Sequence, residues 1–341
     1  MPNFGNKFSV EARQLIWKGG VVKNAVEIQN LKKDLSQLNY ESNELNIKLL
    51  SAGYYLDLFK LYNQEKVYHK NIELAQERLD NINKFYKQGM VTRNDVIRGE
   101  LQLSNLKLAL QVVQNNQSIL NKQLTVALGL DEGVKIIPDE SIVTESLEIL
   151  PLASYYGDLV NHPTIKQTEK AVDIYAVSEK ISRSDMMPSL SAFAGNTLQR
   201  PITTSNPAMD MYTNGWSAGL SLNFNIDALF KAPKKIQLNR LEKEKAIRQS
   251  NEVSEMMKVA VNAAYIKYNE ALTQNNTLKV NKDLTAENYR IMESKYNNQL
   301  AILLDLIDAS NAKLDAELQF ANSEINIVFA YYKLLKEAGT L

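Results

Sequence analysis

The sequence predicts a mainly α-helical protein that also carries a few β-strands of the membrane-spanning type. Two stretches almost free of helix breakers, from Val21 to about Tyr86 and from about 234 to 296, are too long for the helices of an ordinary globular domain. Between Trp216 and Ile226, apolar residues alternate strictly with small or polar ones, as in a tilted membrane strand. Only 13 Gly and 8 Pro among 341 residues favour long helices over a loop-rich enzyme.

The composition argues against several classes of protein. A formal net charge of zero gives no reason to expect nucleic acid as a partner. The sequence has no cysteine, which excludes disulfides and thiolate metal sites. It also has no run of about eighteen apolar residues and no secretory signal at Met1. No Ser/His/Asp set, phosphate loop or zinc pattern is present, so we expect neither an enzyme nor a bound cofactor.

The first half of the chain reads as a strand followed by two helices. Residues 4–17 alternate and are predicted as a strand, and the leucines after Val21 step by three and four, which indicates a coiled-coil seam. Gly89 is placed to end this long helix in the left-handed region. Thr92 is placed to cap a half-length helix that ends near Gly129.

The second half adds a β-hairpin between helices. An irregular connection, 130–151, is followed by a helix that starts between Pro151 and Pro163 and runs to Asp185. The hairpin consists of a strand Ser189–Gln199, a polar loop 200–214 and a second strand Trp216–Ile226. A long helix, about 234–296, and a half-length helix, about 301–338, complete the predicted order.

The two halves echo each other. Tyr86, Asp95, Ile97 and Gly129 recur 210 positions later as Tyr296, Asp305, Ile307 and Gly339. The sequence therefore predicts two repeats, residues 1–150 (strand, long helix, reversal, half-length helix, connection) and 151–341 (helix, hairpin, long helix, reversal, half-length helix).

Several motifs occur in the order and spacing of one family. The strand-to-helix junction is Gln14–Gly20, and the two reversals are Tyr86–Asp95 and Tyr296–Asp305. The helix start is Asn161-His162-Pro163, and the two helix endings are Ala127–Gly129 and Tyr331–Leu335. The chain resembles a TolC-family outer-membrane efflux protein over essentially its whole length. In that family a signal, a half-length helix and a further strand precede the part that begins here, so we expect this chain to lack them.

The resemblance implies an architecture and a function. It implies a homotrimer in which the strands combine into one transmembrane β-barrel, continued into the periplasm by an α-helical coiled-coil barrel. The protein would be the outer-membrane channel of a tripartite efflux or type I secretion system, a passive exit duct for small molecules or proteins. Its implied partners are a periplasmic adaptor, an inner-membrane pump and outer-membrane lipid. Open strand edges cannot stay unpaired in lipid, which independently favours oligomerisation.

Asp305 and Asp308 are the candidate gating residues. They are three apart near the start of the last helix and therefore share a face. The helix dipole alone favours acids there. The resemblance instead implies that this Asp-x-x-Asp pair forms carboxylate rings that constrict the periplasmic aperture. The first repeat has Asp95 and Arg98 at the matching positions.

The two reversals also carry small and apolar residues. The resemblance implies that these tips dock a periplasmic adaptor, the alternative being ordinary turn packing: Gly89, Met90, Val91, Leu300, Ala301 and Ile302. Gln299 stands where the first repeat has Gly89, so we expect the second turn either to be more tightly bound or to differ in shape. His69 and His162 lack acids at metal-ligand spacing and are predicted as surface or capping residues.

Two other functions remain as alternatives. A soluble or peripheral coiled-coil scaffold would explain the seams but not the strand Trp216–Ile226. A periplasmic adaptor would have helical hairpins, but it would also need lipoyl-like and β-barrel modules that the sequence does not contain.

Overall fold

A computed structural model describes residues 5–131, 133–139, 147–202 and 209–341. The elements follow the predicted order: β1 Asn6–Trp17, α1 Val21–Lys87, α2 Arg93–Ala127, α3 Leu152–Asp158, a 3-10 turn Leu159–Asn161, α4 Pro163–Ser184, β2 Ser189–Arg200, β3 Thr213–Asn223, α5 Ala228–Asn297 and α6 Leu303–Ala338. Parts of the predicted connection and of the polar loop, at 132, 140–146 and 203–208, lie outside the described residues. None of the described helices is both long and apolar enough to cross a membrane.

The chain forms two compact units, which differ from the predicted repeats. One unit comprises Met1–Glu41 and Pro163–Glu255, and the other comprises Ser42–His162 and Met256–Leu341. Compactness depends on spatial contact, whereas the repeats are defined by sequence offset. The division into repeats at 150 and 151 therefore stays a prediction.

The first unit contains an antiparallel sheet in the order β1-β2-β3. Its register places Ala12, Ala194 and Ala218 in one row across the three strands. Because side chains alternate between faces, this register aligns the apolar positions of all three strands. The face they share carries Phe8, Val10, Leu190, Leu198, Trp216, Leu220 and Leu222, whereas the other carries Ser9, Glu11, Arg13, Thr197, Ser217 and Ser221.

The apolar face is open. Trp216 is 82% exposed and Leu222 is 72% exposed. The predicted strand was placed three residues too late, since β3 spans Thr213–Asn223. After it, the Asn225 side chain accepts a hydrogen bond from the Asp227 N–H at 3.1 Å and turns the backbone into α5, although Ile226 continues the sequence alternation.

One helix prediction is confirmed and another needs correction. The helix predicted to start between Pro151 and Pro163 is α4, which begins at Pro163 because the chain leaves the helical region at His162. Proline suits a first helical position, where its missing N–H would be unpaired anyway. The long helix α5 begins at Ala228 and includes Pro233, which we had taken as a boundary because proline usually interrupts a helix after its first turn.

Helix α4 is fastened to α1 and α5 within the first unit. Its Lys170 ammonium lies 3.1 Å from Asp34. Its Glu179 carboxylate, largely buried, accepts hydrogen bonds from Arg183 at 2.7 Å and Lys243 at 3.2 Å. These two cations lower the pKa of Glu179, the bond from Arg183 contributing most.

The second unit is a helical bundle whose core contains leucines, other aliphatic residues and tyrosines from α1, α2, α5 and α6. The core confirms the seams that the three-and-four spacing predicts, with Leu79, Ile82 and Leu106 buried. The same spacing predicts Tyr86 as the next seam residue, and this is wrong, because Tyr86 is 43% exposed and Phe85 packs against the core instead. The buried core extends along the helices as far as the two reversals, and its side chains pack beneath both turns.

Candidate functional site

The two reversals have the same backbone conformation. Gly89 has φ 72° and Gln299 has φ 60°, so both lie in the left-handed region. In each turn this residue donates its N–H three residues back, to Tyr86 O at 3.0 Å and to Tyr296 O at 2.9 Å. The expectation that the Gln299 turn differs in shape is therefore wrong.

A second backbone hydrogen bond completes each turn. Met90 donates to Phe85 O at 2.9 Å, and Leu300 donates to Lys295 O at 2.8 Å. Together with the first bond, this is the Schellman pattern that satisfies the last carbonyls of a helix. The bonds use no side chain, which is why glutamine supports the same turn as glycine.

The helix starts after the two turns differ. At the first, Asp95 accepts hydrogen bonds from the Thr92 N–H at 2.8 Å and the Thr92 hydroxyl at 2.7 Å, confirming Thr92 as the cap. At the second, the Asp305 carboxylate accepts one bond from the residues that the structure describes, from the Ile302 N–H at 3.4 Å, and Ile302 has no side-chain oxygen to return one.

Asp305 and Asp308 are both exposed to solvent in the single chain. Leu303 and Leu306 on the same turns are 3% and 2% exposed, so the start of α6 buries one side and presents carboxylates on the other. Neither carboxylate forms an ion pair with any described residue. The pair therefore presents uncompensated negative charge next to the second reversal.

A cavity of about 270 Å³ lies between the two reversals, inside the second unit. It brings together four of the six predicted tip residues: Met90, Val91, Ala301 and Ile302. Gly89 and Leu300 do not line it, and Leu300 is 77% exposed beside it.

Two further residues of this cavity were not predicted as site residues. Tyr296 and Phe85 pack edge to face with ring centroids 6.5 Å apart, and both line the cavity. The Tyr296 hydroxyl is buried and has no hydrogen-bond partner among the described residues. Burial, and secondarily the Asp95 carboxylate, raises the pKa of this phenol. The repetition of tyrosine at 86 and 296 was the available sequence signal.

Comparison with known proteins decides the family. The family model for outer membrane efflux proteins matches residues 155–340, more than half of the chain. This chain belongs to the outer membrane efflux protein family. The outer membrane efflux protein BepC of Brucella suis biovar 1 (strain 1330) is 19% identical to it over 338 residues, covering 97% of this chain and 72% of BepC.

Solved structures show the same fold. The outer-membrane channel OprN superposes with a TM-score of 0.81 at 15% identity, covering 99% of this chain and 82% of OprN. The outer membrane protein VceC from Vibrio cholerae gives a TM-score of 0.79 at 13% identity, covering 98% of this chain and 87% of VceC. The family match confirms the predicted resemblance and the function of an outer-membrane efflux channel component. The solved structures confirm the mainly helical fold with a small sheet.

A buried arginine on α1 links α2, α5 and α6 within the core of this efflux protein. Arg78 is 8% exposed within the helical core and donates to Gln102 at 2.8 Å, and to Tyr289 and Ser310 at 3.1 Å each. It also lies over the Tyr289 ring, 5.6 Å from the centroid. Sequence reasoning missed it, because a charged residue beside Leu79 reads as solvent-facing.

The histidines have different surroundings. His69 is exposed near Glu65, as predicted, with its Nε2 3.7 Å from the carboxylate. His162 does cap the 3-10 turn, but it is 4% exposed and not on the surface. It packs against Gly339, where an added Cβ would lie 2.8 Å from the imidazole Cδ2. No group of residues able to hold a metal ion occurs in the described part of the chain.

Proposed function

We propose that three copies of this efflux protein form the outer-membrane exit channel of a tripartite efflux or type I secretion system. A periplasmic adaptor would connect the channel to an energy-coupled inner-membrane pump, and small molecules or proteins would leave through it passively. Membership of the family supports this proposal. So does the open sheet, because within the described chain β1 and β3 each pair only with β2.

Unpaired strand edges carry N–H and C=O groups that cannot stay unsatisfied in lipid. Three sheets joined edge to edge would pair these groups around a closed barrel. The exposed face with Trp216 and Leu222 would then contact lipid, and the face with Ser217 and Ser221 would contact water.

The observation that carries the proposed gate is the pair of exposed, unpaired carboxylates Asp305 and Asp308. In a trimer, these side chains would form rings of negative charge around the channel axis. Such rings favour cations and repel anions at a constriction. The alternative, that they only stabilise the helix start, assigns them no effect on conduction.

The tips are proposed as the adaptor's docking surface. Met90 and Ile302 line the cavity between the reversals, and Leu300 stands exposed beside it. An apolar side chain of an adaptor hairpin would bury these groups together. The Tyr296 hydroxyl, which has no hydrogen-bond partner in the part of the chain that the structure describes, would meet an acceptor of the adaptor there.

Planar-bilayer conductance tests the proposed gate. In the variant Asp305→Asn/Asp308→Asn, we expect a weaker preference for cations and at least a tenfold loss of block by a trivalent cation, because the ring charge is removed. Glu287→Gln is the control, since it removes one exposed carboxylate that pairs with Arg290 on α5. Native mass spectrometry in detergent would verify that each variant is a trimer. Unchanged ion selectivity and unchanged cation block in the trimeric double variant would mean that both residues only stabilise the start of the helix.

A further inference from the structure

A second cavity, of about 650 Å³, lies in the first unit where the strands meet the long helices. The residue after β1, the end of α4 with the start of β2, and the chain from Asn223 to Lys235 all contribute to its wall. Its charged lining residues are Lys18, Asp185, Asp227, Lys231 and Lys235. The position at the ends of all three strands sets it apart from the aperture and the tips.

The carboxylates in this cavity do not balance the lysines. Asp185 is shared, with one oxygen 2.7 Å from the Lys235 ammonium and the other 3.8 Å from that of Lys18. Asp227 lies 2.6 Å from Lys231. Each ammonium has three donors, and one acid divided between two lysines leaves both donors and positive charge for a further anion.

The start of α5 adds to this positive character. Lys231 and Lys235, which line the cavity, fall in its first eight residues, and these eight residues contain no acid. Cations near a helix N-terminus oppose the helix dipole and therefore reduce stability on their own. An anion in the cavity would interact favourably with both the lysines and the dipole.

One side of the cavity is apolar. Phe224 and Met187 line it and are each nearly half exposed, at 46% and 47%. Trp17 precedes the lining residue Lys18, and Phe230 precedes Lys231, and both aromatic side chains are exposed. The wall thus combines ammonium groups with exposed apolar side chains, as a ligand with a charged head and a hydrocarbon tail requires.

We propose that this cavity binds the phosphodiester headgroup of a glycerophospholipid. The phosphate accepts hydrogen bonds from those donors of Lys18 and Lys235 that Asp185 leaves unused, and the acyl chains leave past Phe224 and Met187 toward the exposed apolar face of the sheet. The proposal rests on the proposed function, because it requires the sheet to be in a membrane. It makes Lys18 and Lys235 headgroup ligands rather than general surface charges.

Native mass spectrometry of the full chain in a maltoside detergent tests this site. Dimyristoyl phosphatidylglycerol is titrated in, with dimyristoylglycerol as the uncharged probe of equal chain length and inorganic phosphate as the competing free anion. We expect retained phosphatidylglycerol adducts, little retention of dimyristoylglycerol, and no displacement by millimolar phosphate. Displacement by phosphate would instead identify a free-anion site, and equal retention of both lipids would identify an apolar contact only; either result overturns the proposal.

Matched lysine pairs locate the site. Lys18→Gln/Lys235→Gln should weaken adduct formation about 25-fold, at about fivefold for each lysine near a phosphate. The control Lys23→Gln/Lys234→Gln removes the same charge from neighbouring exposed residues that do not line the cavity, and should change binding less than twofold. Lys18→Arg/Lys235→Arg should retain binding, which shows that a loss in the Gln pair is not a loss of fold. Equal weakening in the control pair overturns the proposal.

Conductance distinguishes failure of the lipid site from failure of the proposed channel. A trimer that conducts normally but retains no phospholipid rejects this site and leaves the proposed channel intact. A chain that neither trimerises nor conducts, whatever it binds, rejects the proposed function.

Discussion

The two reversals have one backbone conformation but different side-chain support. Gly89 and Gln299 occupy the same left-handed position, and each turn closes with the same pair of backbone hydrogen bonds. The next helix begins with a two-way cap between Thr92 and Asp95 in the first repeat, but with a single long bond to Asp305 in the second.

This difference separates a carboxylate that is engaged in a helix cap from two carboxylates that we propose form the gate. Asp95 is half-buried and engaged in three hydrogen bonds with Thr92, so its charge is used locally. Asp305 is exposed and hardly engaged, and Asp308 replaces the Arg98 of the first repeat. The backbone bonds close the second turn without using either carboxylate.

Exchanging the left-handed residues should give the largest change. Gly89→Gln should destabilise the first turn by about 1–2 kcal/mol, because an L-residue there is strained, and Gln299→Gly should stabilise the second by a similar amount. Amide hydrogen exchange of peptides covering each turn measures both effects. Gly89→Ala is the control for side-chain crowding: apart from its chain neighbours, no described residue would have an atom within 4 Å of a Cβ at Gly89, so it should match Gly89→Gln. If the stability changes of Gly89→Gln and Gln299→Gly did not have opposite signs, the two turns would not be equivalent.

The sequence predicted the order of the elements well, because seams and breakers act locally. Gly89, Thr92 and the seam containing Ile82 all follow from residue preferences within a few positions. Gln299 could not be recognised in this way, since its conformation follows from backbone bonds to Lys295 and Tyr296 rather than from its own preference.

The candidate site was predictable in part. The spacing of Asp305 and Asp308 gave their shared face, whereas the absence of an ion pair needed coordinates. Arg78 was missed because its partners Tyr289 and Ser310 are more than two hundred residues away in sequence. The same holds for the cavity at the strand ends, where Lys18 and Asp185 come from distant parts of the chain.

Removing the paired acids should affect the two turns unequally. Asp95→Ala should cost about 1 kcal/mol locally, because it removes the reciprocal cap. Asp305→Ala should cost only a few tenths of a kcal/mol, the contribution of an exposed acid to the helix dipole. Hydrogen exchange over residues 92–97 and 302–307 compares them directly, with Glu100→Ala as an exposed control on α2. A larger loss for Asp305 would show that it stabilises the helix start after all.

The smallest effect is expected from adding a helix cap after the second reversal, where the backbone conformation is suited to one. Ile302 is 64% exposed and has extended backbone angles close to those of Thr92, with φ −86° and ψ 161° against φ −89° and ψ 163°. Ile302→Thr should therefore introduce a hydroxyl that bonds to Asp305 and stabilise the start of α6 by about 0.5 kcal/mol, seen as roughly twofold slower hydrogen exchange. Ile302→Val keeps the branched shape without the hydroxyl and should leave exchange unchanged. Slower exchange with threonine but not with valine would mean that isoleucine at 302 is not the most stabilising residue at this position. This result would fit an apolar side chain that serves in contact with a partner. No gain would mean that the Asp305 carboxylate lies too far from the turn to act as a capping partner.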